Sequence, residues 1–219
     1  MRACEVPHCR DHARAFSRYC KRHEQRDTNT GHPEGTTVRL GEVRTLYLLA
    51  HQFITHHRDH PGVKAALEWL GRMTAEARDP GTVHARSTAA DRLARWLHRM
   101  HTEGVTAEDM LATIAAVYAL REWNPRRFLS DRHFNHQLAI RLLRLTPAPY
   151  SERWSGSKPK KVYDRITGPT RDLLSTRINA TLGPLILRMG QEVAIAAKPR
   201  PQERLAGIDY PFNPKGTYP

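Results

Sequence analysis

Three stretches between Ser87 and Leu145 repeat apolar residues every three or four positions, which is the spacing of one face of an α-helix. The apolar positions are Leu93, Trp96, Leu97 and Met100 in the first stretch, Met110, Ile114, Val117 and Tyr118 in the second, and Phe134, Leu138, Leu142 and Leu145 in the third. Gly104 is predicted to end the first helix and Thr106 to cap the start of the second. Pro125 ends the second, because proline disfavours a helical conformation in the residue before it. The region is therefore predicted to be a three-helix unit, residues 87–145.

Helical spacing also occurs on both sides of this unit. Residues 38–79 contain two apolar helical patterns, and Pro61 suits the first turn of the second, so we expect a helical hairpin. Residues 162–197 contain two more patterns, the first opened at Gly168 and the two separated by a break at Gly183 and Pro184. No segment after Val38 shows the sustained alternation that is typical of a strand. The sequence predicts an all-α fold, a multi-helix bundle.

The spacing of the cysteines indicates a metal site in residues 1–26. Cys4 and Cys9 form one close pair, Cys20 and His23 form another, and a short loop joins the pairs. Two such pairs supply the tetrahedron of soft ligands that zinc requires. A segment this short cannot bury enough surface to fold alone, so metal binding would provide most of its folding free energy. We therefore predict a small N-terminal zinc-binding module.

The residues around the four ligands, and the segment that follows them, indicate how the module is packed and attached. Phe16 and Tyr19 are expected to pack as a minimal apolar cap on the module, and His8 and His12 are expected to be exposed rather than to bind metal. Residues 27–37 are rich in turn-forming residues and lack a hydrophobic period, which is typical of a flexible linker. The module is thus expected to be tethered to the helices rather than integrated with them.

The charge of the chain favours a polyanionic partner. Lys and Arg number 35 against 22 Asp and Glu, a formal net charge of +13, and such an excess attracts nucleic acid through release of counterions. No stretch approaches the ~20 apolar residues of a membrane span, and the N-terminus lacks the apolar core of a secretory signal. We therefore expect a cytosolic protein that binds DNA and does not bind a membrane.

Two basic regions are candidate DNA contacts. The first comprises Arg126, Arg127 and Arg132, around the break before the third helix of residues 87–145, together with Arg141 and Arg144 further along that helix. The second is residues 146–161, where Trp154 stands among Lys158, Lys160 and Lys161. Such a basic-aromatic segment can stack on bases and follow the phosphate backbone, although a plain interdomain linker explains its composition equally well. The proline-rich tail, residues 198–219, is expected to be largely disordered.

The order of signals in residues 87–145 resembles the C-terminal domain of DnaD-like replication proteins and phage replisome organisers. The resemblance rests on the turn Glu103 to Asp109, the second helix reaching Trp123, and the segment from Phe128 that opens the third helix. It implies binding of DNA and recruitment of a replicative helicase or its loader. The chain departs from the family at residues 130–133, where a proline and a threonine usually precede the final aromatic. The cysteine pattern, in turn, resembles small Cys3His zinc modules of phage and mobile-element proteins.

Other functions remain open at this point. The helices around Gly104 have the short turn of a helix-turn-helix, so a DNA-binding transcriptional regulator or excision factor is the main alternative. His133, Asn135 and His136 share the letters of HNH nucleases but fall on one predicted helix, which makes a metal-dependent nuclease a minor alternative. No phosphate-binding loop of the Gly-x4-Gly-Lys type occurs, and we expect a non-catalytic protein.

Ile140 and Leu143 lie off the main apolar stripe of the third predicted helix, which indicates either cover by the C-terminal helices or self-association.

Overall fold

The computed structural model describes residues 2–81, 86–147, 150–151, 160–161 and 166–198. Its α-helices, in chain order, are α1 Lys21–Thr30, α2 Leu40–His56, α3 Pro61–Ala75, α4 Ala89–Thr102, α5 Ala107–Trp123, α6 Asp131–Leu143 and α7 Gly168–Ala196, with a 3-10 helix at Pro125–Arg127 between α5 and α6. Two short strands, β1 Tyr150–Ser151 and β2 Lys160–Lys161, pair antiparallel. The predicted all-α fold is confirmed. None of the described helices is both long enough and apolar enough to span a membrane.

Helix α5 lies at the centre of the bundle. Every residue from Met110 to Leu120 is buried, which agrees with a sequence that is apolar on all sides of the helix. Helices α2 and α7 pack along α5, and α3 and α6 contact it as well. Gly190 of α7 permits the close approach, because a Cβ atom there would lie 2.8 Å from the Cβ of Tyr118. The predicted hairpin, the three-helix unit and the C-terminal helices thus share one core.

The predicted break at Gly183 and Pro184 is wrong, because α7 continues through both residues to Ala196. Proline removes the hydrogen bond that its N–H would donate to the carbonyl four residues earlier. That carbonyl belongs to Ala180, and both Ala180 and Pro184 are exposed, so water can solvate it. The buried stripe of the helix comprises Leu174, Ile178, Leu182, Ile186, Met189 and Val193 and passes unbroken across the proline. Apolar burial on both sides of Pro184 therefore holds the helix together.

Side-chain caps fix the starts of the central helices. The hydroxyl of Thr106 accepts the N–H of Asp109 at 3.0 Å at the start of α5, as predicted. The hydroxyl of Ser130 accepts the N–H of His133 at 3.1 Å at the start of α6. Asp109 also accepts the phenol of Tyr47 on α2 at 2.6 Å. Burial, together with this bond, raises the pKa of Tyr47 to about 12, so the phenol stays a donor and joins α2 to the start of α5.

The segment predicted as a flexible linker, residues 27–37, is instead held against the bundle. Its first residues are the last turns of α1, which crosses the predicted boundary at residue 26. Asp27 pairs with Arg132 of α6 at 3.0 Å. The buried amide of Gln137, also on α6, donates to the carbonyl of Thr30 at 3.2 Å and accepts the N–H of Val38 at 2.9 Å. Contacts at both ends of the segment, rather than its turn-rich composition, decide its conformation.

Arg171 of α7 makes the second attachment of this segment. Arg171 is 2% exposed, and its guanidinium donates to the carbonyls of Thr28 and of Asn29, the latter at 2.7 Å. These carbonyls lie in the last turn of α1, where the helix leaves its acceptors unpaired and carries a partial negative charge. A buried cation at this position both satisfies the acceptors and stabilises the helix end. Helix α1 is consequently docked on α6 and α7.

Candidate metal centre and nucleic-acid interface

Cys4, Cys9, Cys20 and His23 form a cluster in which the four ligand atoms all lie within 4.8 Å of one another. The Nδ1 atom of His23 is 3.4 Å from the sulfur of Cys4 and 3.4 Å from that of Cys20. The sulfurs of Cys9 and Cys20 are 3.9 Å apart, too far for a disulfide, whose sulfurs are about 2.05 Å apart. The three thiols are free, and the cluster is able to hold one metal ion, as predicted.

The local fold explains why these four residues meet. Cys9 donates its N–H to the carbonyl of Val6 at 3.1 Å, which closes a turn with Pro7 and His8 at its centre. His8 has a φ of 62°, the left-handed value that the third position of a type II turn requires. This turn brings Cys9 back beside Cys4. His8 lies exposed at the tip of this turn, as expected.

Helix α1 positions the second pair of ligands. Cys20 is the residue before the helix and adopts an extended conformation, and His23 lies in the first turn. Both residues are buried, so the second pair faces inward while the exposed side of α1 faces solvent. The metal cluster therefore lies at the start of α1, and Arg171 and Gln137 hold the other end of this helix against the core. One helix, α1, joins the metal centre directly to the core.

The thiols of the cluster differ in acidity. Burial opposes ionisation of Cys4, but hydrogen bonds from the backbone of Cys20 and Val6 and from His23 outweigh it and lower the pKa of Cys4 to about 6. For Cys9, a hydrogen bond with the backbone of Asp11 lowers the pKa. Burial and the neighbouring thiols Cys4 and Cys20 raise it by more, so the pKa of Cys9 is raised overall. A cation at the centre would favour the thiolate form of all three, since the thiolate is the ligand.

The apolar interior of the module is smaller than predicted. It consists of Cys4, Val6 and Cys20, with Tyr19 packed against them. The expected contribution of Tyr19 is thus confirmed, but that of Phe16 is wrong, because the ring of Phe16 is completely exposed. The reason is the backbone: Phe16 lies at the tip of a turn with a φ of 62°, which directs the side chain away from the cluster.

Basic side chains cover the outside of the module. Those exposed to solvent are Arg2, Arg10, Arg14, Arg18, Lys21, Arg22 and Arg26. Three acids lie among them: Glu24 pairs with Arg14 at 2.6 Å, Glu5 lies 3.8 Å from Arg18, and Asp11 is exposed. Exposed pairs of this kind are weak and exchange readily with other anions. The module therefore presents an excess of positive charge.

Arg127 is not available as a DNA contact, contrary to the prediction. Its guanidinium pairs with Glu42 of α2 through two hydrogen bonds of 2.5 and 3.2 Å and also donates to the carbonyl of Thr36 at 3.3 Å. The Arg127 side chain is only 14% exposed. The bond from Arg127 is the main reason that the pKa of Glu42 is lowered. Arg127 therefore joins the 3-10 helix to α2 rather than facing solvent.

Arg126 and Arg132 remain candidates for phosphate contacts. Arg126 is exposed, next to Arg127 in the chain. The Arg132 side chain is 54% exposed although it pairs with Asp27, and this pair places Arg132 directly beside α1. One of the predicted DNA contacts thus adjoins the basic module, a proximity that depends on the pairing of residues 105 positions apart.

Arg141 and Arg144 lie on a groove with an apolar floor. The groove has a volume of about 330 Å³ and runs between α2, α5 and α6. Its other lining residues are Leu40, Val43, Arg44, Tyr47, Leu48, Thr113, Ala116 and Leu145. Leu40 and Leu48 are 68% and 54% exposed. A groove that combines exposed leucines with arginines suits an apolar and acidic protein segment better than it suits phosphate alone.

The remaining predicted DNA contacts are not placed by the structure. Trp154 and Lys158 lie outside the described residues, and so does the predicted tail after Lys198. Lys160 and Lys161 form β2, of which only the backbone is described. Their assignment to DNA binding stays a prediction.

The two histidines of the HNH-like pattern on α6 lie in the core. His133 and His136 are both fully buried. The Nδ1 atom of His133 accepts the N–H of Leu129 at 3.2 Å, and its Nε2 atom lies 3.0 Å from the carbonyl of Thr36. The Nε2 atom of His136 lies 2.8 Å from a carboxylate oxygen of Asp172 on α7. These contacts pack α6 against its neighbours and leave neither ring exposed to a substrate.

Ile140 and Leu143, the two positions off the main stripe of α6, are also buried. Leu143 belongs to the core that α6 shares with α7, which agrees with cover by the C-terminal helix, one of the two predicted explanations. Helix α7 also supplies Arg171, which the sequence analysis missed. An arginine in a helical pattern gives no signal that it is buried or that it caps a distant helix.

Comparison of the chain with protein-family models, with curated proteins and with solved structures finds no match.

Proposed function

We propose that the chain is a zinc-dependent DNA-binding protein of a phage or mobile element, acting as a replication factor that binds DNA and recruits a helicase or its loader. The observation that supports it best is the docked Cys3His module with its shell of exposed basic side chains. A module attached by one helix to a rigid core can hold these charges in a fixed arrangement, which lowers the entropy lost on binding.

Zinc is the ion that we propose for the cluster. Bond lengths of ~2.3 Å to sulfur and ~2.0 Å to nitrogen in a tetrahedron imply separations of about 3.8 Å between two sulfurs and about 3.5 Å between sulfur and nitrogen. The contacts between Cys9 and Cys20, at 3.9 Å, and from His23 to its two sulfurs, at 3.4 Å, are close to these values. Three thiolates and one imidazole are also the donors of structural zinc sites.

Nucleic acid is the partner that the charge favours. The module has seven basic residues against three acids, and a Cys3His site with a divalent ion adds only one negative charge. A net positive charge therefore remains on a surface that is mostly arginine, whose planar guanidinium pairs with phosphate. Arg132, beside α1, and Arg126 extend the basic surface onto the core.

The choice between replication and regulation rests partly on α5. A helix-turn-helix reader must insert its second helix into the major groove of DNA. In the pair around Gly104 that helix is α5, and its residues from Met110 to Leu120 are buried. The main alternative, a regulator or excision factor that uses this pair, would require α5 to leave the core. The resemblance of residues 87–145 to DnaD-like domains favours replication instead.

Recruitment of a helicase or loader requires a protein-binding surface, for which we propose the groove lined by Leu48, Arg141 and Arg144. Its charge and apolar floor suit an acidic, amphipathic segment of the partner. The test is binding of a purified replicative helicase and of its purified loader. We expect Leu48→Asp to abolish binding and Thr45→Asp, on the same helix, to leave it unchanged. Equal binding by both variants would contradict this assignment.

The DNA-binding proposal is tested by the salt dependence of affinity. Wild-type protein should bind single- or double-stranded oligonucleotides, with a dissociation constant that rises steeply between 50 and 200 mM salt. Replacing Arg22 and Arg26, both exposed on α1, by glutamine should flatten the slope by about 0.7–0.9 for each lost contact.

The matched control removes the same charge at a distant position. Lys64 and Arg188 are exposed, and Arg188 is about 25 Å along α7 from the Arg171 attachment, at 1.5 Å for each residue. The variant with glutamine at both positions should keep the wild-type slope. Wild-type protein that binds neither oligonucleotide at low salt would refute the proposed function.

A further inference from the structure

The loop between Cys9 and Cys20 ends in a tight turn with Phe16 at its tip. Ser17 donates its N–H to the carbonyl of Arg14 at 3.1 Å, and Arg14 donates its N–H to the carbonyl of Tyr19 at 3.0 Å. These bonds close the loop on both sides of Phe16. The ring has a relative exposure of 111%, the highest among the exposed large apolar side chains of the described residues.

Neither packing nor backbone conformation explains a phenylalanine at this position. Its ring makes no contribution to the apolar interior of Cys4, Val6 and Cys20. Its φ of 62° is the value that the third residue of a type II turn needs, and glycine or asparagine normally supplies it. A bulky residue with positive φ is an outlier. The turn would form more easily with glycine, so the ring serves something outside the fold.

The surroundings of Phe16 indicate what that is. Arg14 and Arg18 lie two residues to either side, with side chains 58% and 68% exposed. Among residues 2–39, Phe16 is the sole exposed large apolar side chain, whereas a protein partner would require a contiguous apolar patch. One flat ring among arginines suits one flat base with phosphates on either side.

We propose that Phe16 stacks on an unpaired base of single-stranded DNA while Arg14 and Arg18 contact the adjacent phosphates. This inference rests on the proposed function and adds to it a strand preference and a stacking residue. A base inside a duplex is already stacked on both faces, so the ring can engage only a single strand or a duplex end. The cluster at Cys20 and His23 fixes the loop to α1, so the ring is presented without the cost of ordering a free chain.

The test is the substitution Phe16→Gly, which the structure predicts to have opposite effects on the fold and on binding. Glycine relieves the positive φ, so the variant should bind one zinc per chain and unfold at the same temperature as wild type or higher. Its affinity for a single-stranded oligonucleotide should fall about 5- to 150-fold, the loss expected for one stacked base. Its affinity for a relaxed, covalently closed circular duplex, which has neither unpaired bases nor ends, should not change by more than about twofold.

Salt dependence and matched variants separate stacking from other effects. Because Phe16 carries no charge, the loss should be equal at every salt concentration and the slope should stay that of wild type. Ala15→Gly frees the same turn without removing the ring and should bind normally, and Phe16→Tyr should restore affinity. A single-stranded oligonucleotide with one 5-iodouracil should crosslink to Phe16 on irradiation.

The possible outcomes are distinguishable. If wild type binds no DNA at low salt, the proposed function fails and this inference fails with it. If wild type binds single strands and Phe16→Gly binds them equally well, the inference alone is refuted and the proposed function stands. Equal losses with Ala15→Gly would also refute stacking, since the loss would then come from flexibility of the turn.

Discussion

Replacing Arg171 by methionine tests whether the module is docked or merely tethered. In wild type, the Arg171 guanidinium donates to the carbonyls of Thr28 and Asn29 at the end of α1. Methionine keeps most of the aliphatic volume, so the substitution removes these bonds and the buried charge without leaving a large cavity. We expect α1 and the segment after it to detach from α7 while the helical core stays folded.

The size of the effect follows from the bonds that are lost. Hydrogen bonds that involve a charged group stabilise by about 1.5–3 kcal/mol each, and two such bonds set an upper limit of about 6 kcal/mol. Water can reach the carbonyl of Asn29, which is exposed, and replaces part of that loss. We therefore expect docking to weaken by about 2–4 kcal/mol, or about 30- to 700-fold in its equilibrium constant.

Hydrogen exchange measured by mass spectrometry provides the assay. Amides in residues 21–38 should exchange about 30- to 700-fold faster in Arg171→Met than in wild type, whereas those of α5 should keep their protection. Arg177→Met is the control, since Arg177 is an exposed arginine on the same helix. Unchanged exchange in residues 21–38 would refute the docking role of Arg171, and a uniform increase across all helices would show that Arg171 stabilises the whole core instead.

Two further substitutions test the packing of the core. Gly190→Ala should destabilise the protein by about 1–3 kcal/mol in urea denaturation, because the added methyl group would lie 2.8 Å from Tyr118. Gly71→Ala, inside α3 and with open space around it, should instead stabilise by up to about 1 kcal/mol. Equal effects of the two substitutions would contradict the close approach of α7 to α5. Arg127→Met should cost about 1–3 kcal/mol at neutral pH. Since the pKa of Glu42 is lowered in the folded protein, this stabilisation is present above the ordinary pKa of 4.5 and is lost as the pH falls through the folded value. A difference between wild type and Arg127→Met that stayed constant from pH 7 to pH 3 would contradict the pairing.

The sequence predicted those features that depend on local pattern. The three helices of residues 87–145 and the cap at Thr106 follow from apolar spacing and from a side chain that bonds its own neighbours. The ligand set Cys4, Cys9, Cys20 and His23 follows from spacing as well, because close pairs leave few ways to surround one ion.

Features that depend on distant parts of the chain were missed. Composition predicted a linker at residues 27–37, but the segment is ordered by Gln137 and Arg171, whose partners lie 99 to 143 residues away in the chain. Arg127 was predicted to contact DNA. Its pairing with Glu42 could not be predicted from the local sequence, because Glu42 lies on another helix. In the same way, burial on both sides of Pro184 overrides the local break that proline and glycine predict.

The central claim is that zinc folds the N-terminal module into a surface that binds DNA, and one titration tests it most directly. The affinity of the full chain for a single-stranded oligonucleotide is measured at one salt concentration, with zinc bound and after its removal by a chelator, while circular dichroism verifies that the helical core remains folded. We expect affinity to fall at least about tenfold without zinc, because the segment from Cys4 to His23 must then be ordered on binding, and to recover when zinc is restored. Equal affinity with and without zinc would contradict the account.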